Sequence, residues 1–234
     1  MAEEIRQTPT AMQAVDDDPL PPSSDDTLMA AYAAGDAGAF ELLYARHQAG
    51  LYRFVRRLLG RALAAQVDEV FQDTWLRVVH ARARWRAEGA SFRTWLYTLA
   101  HRRVIDVWRR SGREVSMTAD DDREAPWEPA EAGAAWRLWP TPDHGGAPQG
   151  DELAFWRRAG ERLLHCLEEL PLPQRSAFLL HHDDELPVAE VARTLEVGFE
   201  TAKTRLRYAM AKLRTCMGAH LAPLQAVSQE SPTP

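Results

Sequence analysis

Leu186-Pro187-Val188-Ala189-Glu190-Val191-Ala192-Arg193-Thr194-Leu195-Glu196-Val197-Gly198-Phe199-Glu200-Thr201-Ala202-Lys203-Thr204-Arg205-Leu206-Arg207-Tyr208-Ala209-Met210-Ala211-Lys212-Leu213-Arg214 decides the fold of this chain. Val188 to Leu195 reads as a short helix that starts on a proline. Glu196-Val197-Gly198 reads as a tight turn, and Phe199 to Arg214 as a longer basic helix. A short helix, a glycine-containing turn and a basic helix form the helix-turn-helix pattern. In the last helix Ala202, Leu206, Ala209, Met210 and Leu213 share one face and are expected to pack inward. Glu200, Thr201, Lys203, Thr204, Arg205, Arg207 and Tyr208 then lie towards solvent. Lys and Arg at that place suit guanines or phosphates, and Glu200 suits a cytosine amine.

Upstream of this motif the helical period continues. Leu163, Leu164, Leu167 and Leu170 mark a helix stopped by Pro171-Leu172-Pro173, and Ala177, Phe178 and Leu180 mark the next. Nearer the start, Phe40, Leu43, Tyr44, Leu51, Phe54, Val55 and Leu58 recur at three- and four-residue steps until Gly60. A second such helix carries Val67, Val70, Phe71, Trp75, Val78 and Val79. A third runs from Ser91 to Arg110, with Phe92, Trp95, Leu96, Leu99, Arg103 and Val107 on one face. No stretch alternates with the period of a strand. The expected fold is all-α: two small helical domains joined by a flexible linker, the C-terminal one a helix-turn-helix. The expected bounds are an acidic disordered tail at 1–25, a first domain at 26–112, an acidic linker rich in Pro, Gly and Trp at 113–152, a second domain at 153–218, and a tail at 219–234.

Charge is segregated along the 234 residues. Residues 1–36 hold one base against eight acids, and residues 114–170 hold five arginines against thirteen acids. Residues 40–113 hold fifteen arginines against six acids, inside a chain whose net charge is −6. A basic block in an acidic chain suits a polyanion, with an ordinary charged helix surface as the alternative. Cys166 and Cys216 are far apart in sequence, so neither a disulfide nor a zinc site is expected, and a reducing, cytoplasmic setting fits. No apolar run approaches the length of a membrane helix. His181-His182-Asp183-Asp184-Glu185 has metal-ligand chemistry, but it is one contiguous run with no second cluster to close a shell. No metal, cofactor or catalytic residue is expected.

Two further segments matter. In the third helix Tyr97, His101, Ile105 and Trp108 form a separate stripe, flanked by Arg93, Thr94, Arg102, Arg109 and Arg110. Aromatics among arginines suit single-stranded nucleic acid, where rings stack on bases and guanidinium groups track phosphates. Periodicity leaves packing against neighbouring helices equally open. In the second helix Asp68, Glu69, Gln72 and Asp73 form an acidic outer strip, which periodicity alone reads as a solvated face.

Taken in order, these segments resemble the extracytoplasmic-function (ECF) group of sigma-70 transcription initiation factors. Leu28 to Tyr44 is similar to the start of the family's second conserved region. Asp68-Glu69-Val70-Phe71-Gln72-Asp73-Thr74-Trp75 is similar to the helix that docks on the polymerase clamp, which overturns the solvated-face reading. Phe92-Arg93-Thr94-Trp95-Leu96-Tyr97 through Asp106 is similar to the part that opens and reads the minus-ten element. Leu170 to Leu195 with the last helix resembles the fourth region, which reads the minus-thirty-five element, and Lys203-Thr204-Arg205-Leu206 stands where the family has Lys-Ser-Arg-Leu. Pro187, Gly198 and Glu200 depart from the family pattern, and the linker is longer. The resemblance implies a monomer, when free of partners, that binds core RNA polymerase and promoter DNA, both double-stranded and melted, without inserting in a membrane. It leaves open restraint by an anti-sigma factor or by the linker. The rival readings are a dimeric helix-turn-helix regulator that binds DNA alone, and a metal enzyme built on His181 to Glu185.

Overall fold

A computed structural model describes residues 24–86, 90–112 and 151–229, the last with side chains from 154 to 218. The expected acidic tail, the linker with Trp127, Trp136 and Trp139, and residues 230–234 lie largely outside the described residues, whereas residues 219–229, expected as a tail, continue the last helix. All regular structure among the described residues is helical. In chain order it comprises α1 (Asp25–Ala33), α2 (Ala37–Leu59), α3 (Val67–Ala81), α4 (Phe92–Arg110), α5 (Asp151–Glu169), α6 (Leu172–Phe178), α7 (Val188–Thr194) and α8 (Phe199–Gln229). Short 3-10 turns join α2 to α3 and follow α3, and one π turn (Leu179–Asp183) follows α6.

The boundaries have local causes. The Ser24 hydroxyl accepts from the Thr27 amide, the Asp36 carboxylate from Gly38 and Ala39, and the Ser91 hydroxyl from Thr94. Each satisfies a donor that the first helical turn leaves open. Gly35 (φ +110°) and Asp36 break the stretch from Leu28 to Tyr44 into two helices. Gly60 (φ +65°) ends α2 in a conformation that costs a side chain strain. Its Cα faces Arg175, whose Nη1 lies 3.4 Å from where a Cβ would stand.

The first group, α1–α4, buries Leu43, Leu51, Phe54 and Leu58 of α2 against Val70, Trp75 and Val78 of α3 and Phe92, Leu96 and Val104 of α4. Phe40 and Tyr44 brace Trp75, with ring centroids at 5.8 and 4.9 Å. The second group, α5–α8, closes around Leu167, Leu180, Leu186, Val191, Leu195, Ala202, Leu206, Ala209 and Leu213. A disulfide between Cys166 and Cys216 (Cα–Cα 5.9 Å) ties α5 to α8. This corrects the expectation of two unpaired cysteines. Fifty residues separate them in sequence, and only the packing of α5 beside α8 brings them together.

The two groups are packed together. α7 lies along α4, while the π turn, α5 and α6 touch α2. One hydrophobic core runs through both. Arg175 donates to the Leu58 carbonyl at 3.3 Å, the Arg61 amide donates to Glu168 at 3.1 Å, and Arg57 pairs with Asp183.

Candidate nucleic-acid and polymerase interfaces

The N-terminal turns of α8 stand open. Phe199, Glu200, Lys203 and Arg207 are exposed, while Thr201, Thr204 and Tyr208 are half-buried. Lys203 Nζ lies 3.8 Å from Glu200, and the Arg207 guanidinium sits 5.4 Å from the Tyr208 ring centroid. The turn before the helix depends on Glu196 at φ +56°, followed by exposed Gly198, whose carbonyl accepts the first helical bond from Ala202. Arg205 corrects the sequence reading. It lies one turn after Ala202 on the inward face and is 2% exposed, so it does not share the surface of Lys203 and Arg207. Its positive charge acts on His101 of α4.

The aromatic stripe of α4 is covered. Tyr97, His101 and Ile105 are 2, 4 and 5% exposed and Trp108 is half-buried, so the expected open face is a packing face in this arrangement. The second group occupies it residue by residue. Tyr97 Oη donates to Asp184 Oδ1 at 2.6 Å, and Arg93 donates to the Asp184 carbonyl. Thr94 Oγ1 donates to Glu190 at 2.7 Å, and His101 Nε2 lies 3.1 Å from Ser176 Oγ. Arg102 pairs with Glu196. Arg109 and Arg110 remain exposed beyond this contact. A helix that is apolar on one face and aromatic on another has two faces to bury, and here it buries both.

Burial dominates the electrostatics of the contact. It pushes the Asp184 carboxyl up to about 6, against the opposing hydrogen bond from Tyr97. Asp184 Oδ2 is buried without a hydrogen-bond partner, which is the structural side of the same effect. Burial, reinforced by the Arg205 charge, lowers His101 to about 4, so it is neutral near pH 7. Burial also raises the Tyr97 phenol. The side chains of the run from His181 to Glu185 mostly go to separate partners, while the His181 and His182 rings touch each other, with centroids 4.7 Å apart. His181 Nδ1 meets the Leu186 carbonyl at 2.8 Å, and His182 packs on Phe178. Asp183 goes to Arg57, Asp184 to Tyr97, and Glu185 is exposed.

The acidic strip of α3 is accessible but already ordered. Asp68 accepts from Tyr52 Oη at 3.0 Å. Glu69 and Asp73 hold Arg103 of α4 at 2.7 and 2.8 Å, and Asp73 also holds Arg77 at 2.9 Å. Gln72 and Leu76 are exposed. Beside the strip runs an open, mostly apolar groove of about 390 Å³ lined by Tyr44, Gln48, Ala49, Tyr52, Arg53 and Phe71. The sequence reading missed this groove because it assigned Tyr44 and Phe71 wholly to the core. Both are half-buried, with one edge facing outward.

Comparison with known proteins agrees with this geometry. Residues 43–114 match the family model for sigma-70 region 2, and residues 160–213 match that for sigma-70 region 4. The chain is 32% identical over 200 residues to the ECF RNA polymerase sigma factor SigK of Mycolicibacterium vanbaalenii, covering 86% of this chain and 92% of that one. It is 31% identical over 201 residues to SigK of Mycobacterium ulcerans, covering 85% and 97%. Among solved structures, CnrH in complex with the cytosolic domain of CnrY is similar, with a TM-score of 0.56 and 24% identity over 84% of this chain and 99% of that one. The sigma factor RpoE of Bartonella quintana, in complex with the anti-sigma factor NepR, gives a TM-score of 0.52 and 18% identity, covering 76% and 96%. These two likenesses bear on the fold.

Proposed function

Because the chain belongs to the ECF sigma factors of the sigma-70 family, which bring core RNA polymerase to promoters and are not enzymes, we propose that it does so in the cytoplasm with three separate surfaces. The open, partly basic face of α8 behind the Glu196–Gly198 turn carries this reading. Lys203 and Arg207 grip guanines or phosphates of the minus-thirty-five element, Thr201 and Thr204 line the same groove, and Glu200 accepts from a base amine. The strip Asp68, Glu69, Gln72 and Asp73 meets the polymerase, and the neighbouring groove around Tyr52 and Phe71 extends that contact. The α4 face of Arg93, Thr94, Tyr97, His101, Arg102, Trp108, Arg109 and Arg110 receives the melted minus-ten strand.

The third step needs a rearrangement. Tyr97, Thr94, Arg93, His101 and Arg102 are engaged by α6, α7 and the residues around them. Bases cannot stack on a ring that is 2% exposed. Polymerase binding therefore draws the second group off α4, and an anti-sigma factor would hold it in place. The chain is expected to co-purify with bacterial core RNA polymerase and to support run-off transcription from a defined subset of a genomic promoter library. DNA binding by the chain alone as a dimer, without polymerase binding, would overturn the reading.

A further inference from the structure

Phe199 is the first residue of α8, and half of its surface (50%) is exposed. Val197, two residues earlier, packs against the hydrophobic core. A half-exposed phenylalanine forgoes about half of the free energy that full burial would supply, and a lone apolar residue on a surface is ordinary, so it is the place of Phe199, not its exposure, that points to a contact. The chain turns through Glu196 at φ +56° and exposed Gly198, which sets Phe199 at the tip of the helix-turn-helix.

Its neighbours narrow what it meets. Glu200 and Lys203 are 81% and 67% exposed in their side chains, so the first turn of α8 presents a ring and a carboxylate, and the cations follow one turn later. A carboxylate is repelled by phosphates, so the first turn of an inserted α8 lies over base edges, with Lys203 and Arg207 nearer the backbone or a guanine. Among base edges in the major groove, the apolar group open to an aromatic ring is the thymine 5-methyl. We propose that Phe199 reads a thymine methyl in the minus-thirty-five element and so helps to set which promoters the factor selects. This rests on the reading of α8 as the upstream-element helix.

The test uses the holoenzyme and duplexes that it selects from a randomised upstream element. Each thymine is replaced in turn by deoxyuridine, which removes the methyl and leaves pairing unchanged. One position is expected at which uridine weakens wild-type binding by about fourfold, the worth of one buried methyl-sized group. Phe199→Ala should bind the thymine and uridine duplexes equally, and Phe199→Leu should keep part of the difference. The inference is overturned if no thymine shows a methyl dependence in the wild type, or if the dependence persists in Phe199→Ala. Lys203→Ala/Arg207→Ala on the same duplexes separates the two readings. If that variant loses binding while uridine has no effect, the role of Phe199 alone fails. If it binds as the wild type does, the reading of α8 fails with it.

Discussion

Two helices carry the nucleic-acid chemistry of this chain, and they are in opposite states. The first turns of α8 face solvent, while the aromatic face of α4 is closed under α6 and α7. The sequence patterns of the two helices look alike, with arginines interleaved among apolar residues. The difference lies in what is opposite them. On α8 the outward positions after Phe199 have mostly polar side chains that gain little from burial. On α4, Tyr97, His101 and Ile105 have enough apolar surface to pack, and α7 with the residues just before and after it supplies the matching acceptors Asp184, Glu190 and Glu196. A face suited to stacking bases is equally suited to packing protein, and here it is put to the second use in the packed arrangement.

The largest expected effect falls on the open helix. Lys203→Ala/Arg207→Ala should weaken recognition of the upstream element by about 2–4 kcal/mol while leaving the affinity for core polymerase unchanged, measured by binding titrations with and without that element. Arg205→Ala should behave differently. Arg205 is buried, so its loss should lower thermal stability rather than shift base preference. The disulfide lies within the second group. Reduction, or Cys166→Ser, should destabilise α5–α8 by about 2–4 kcal/mol, with a smaller loss of protection in α1–α4 through the shared core, as read by hydrogen exchange of the two groups.

On the covered helix the effects are smaller and depend on pH. His101 has its pKa lowered to about 4 by burial. A histidine depressed in this way stabilises the packed state above its ordinary value of 6.5, and that stability is lost as pH falls towards 4. Asp184, raised to about 6, has the opposite sign: its contribution is full below the ordinary carboxylate value of 3.8 and is lost as pH rises through about 6. The histidine effect is expected to appear in urea denaturation at pH 7.5 and pH 5, where His101→Gln should remove about 2 kcal/mol of acid destabilisation. The smallest effect belongs to Arg102→Ala. Its pair with Glu196 is more than half exposed on both sides, so breaking it should cost under about 1 kcal/mol in the same assay.

Most of the separate helices were legible in the sequence, α1 and the last turns of α8 excepted. Their apolar spacing, Ser91 at one start, Pro187 at another and Gly60 at an end are local signals, and the helices form where those signals stand. The turn between α7 and α8 was legible for the same reason. What was not legible depends on packing between distant segments. Tyr97 meets Asp184 across 87 residues, and Cys166 meets Cys216 across 50. Neither pairing leaves a mark in the spacing of either partner. Arg205 was misplaced on a finer point: its position in the helical wheel is inward, but the charge of arginine suggested solvent. Phe199 was passed over because the period of the helix behind it drew attention to the inward face.

The α4 face is expected to be covered in the free chain and uncovered when the factor works. Fluorescent non-natural amino acids at two exposed positions, Ala62 beside α3 and Arg193 on α7, would report the separation of the two groups by energy transfer. A single short distance is expected in the free protein, lengthening when core polymerase binds, with promoter transcription intact. A distance that stays short in a transcribing complex, or is already long in the free chain, would contradict it.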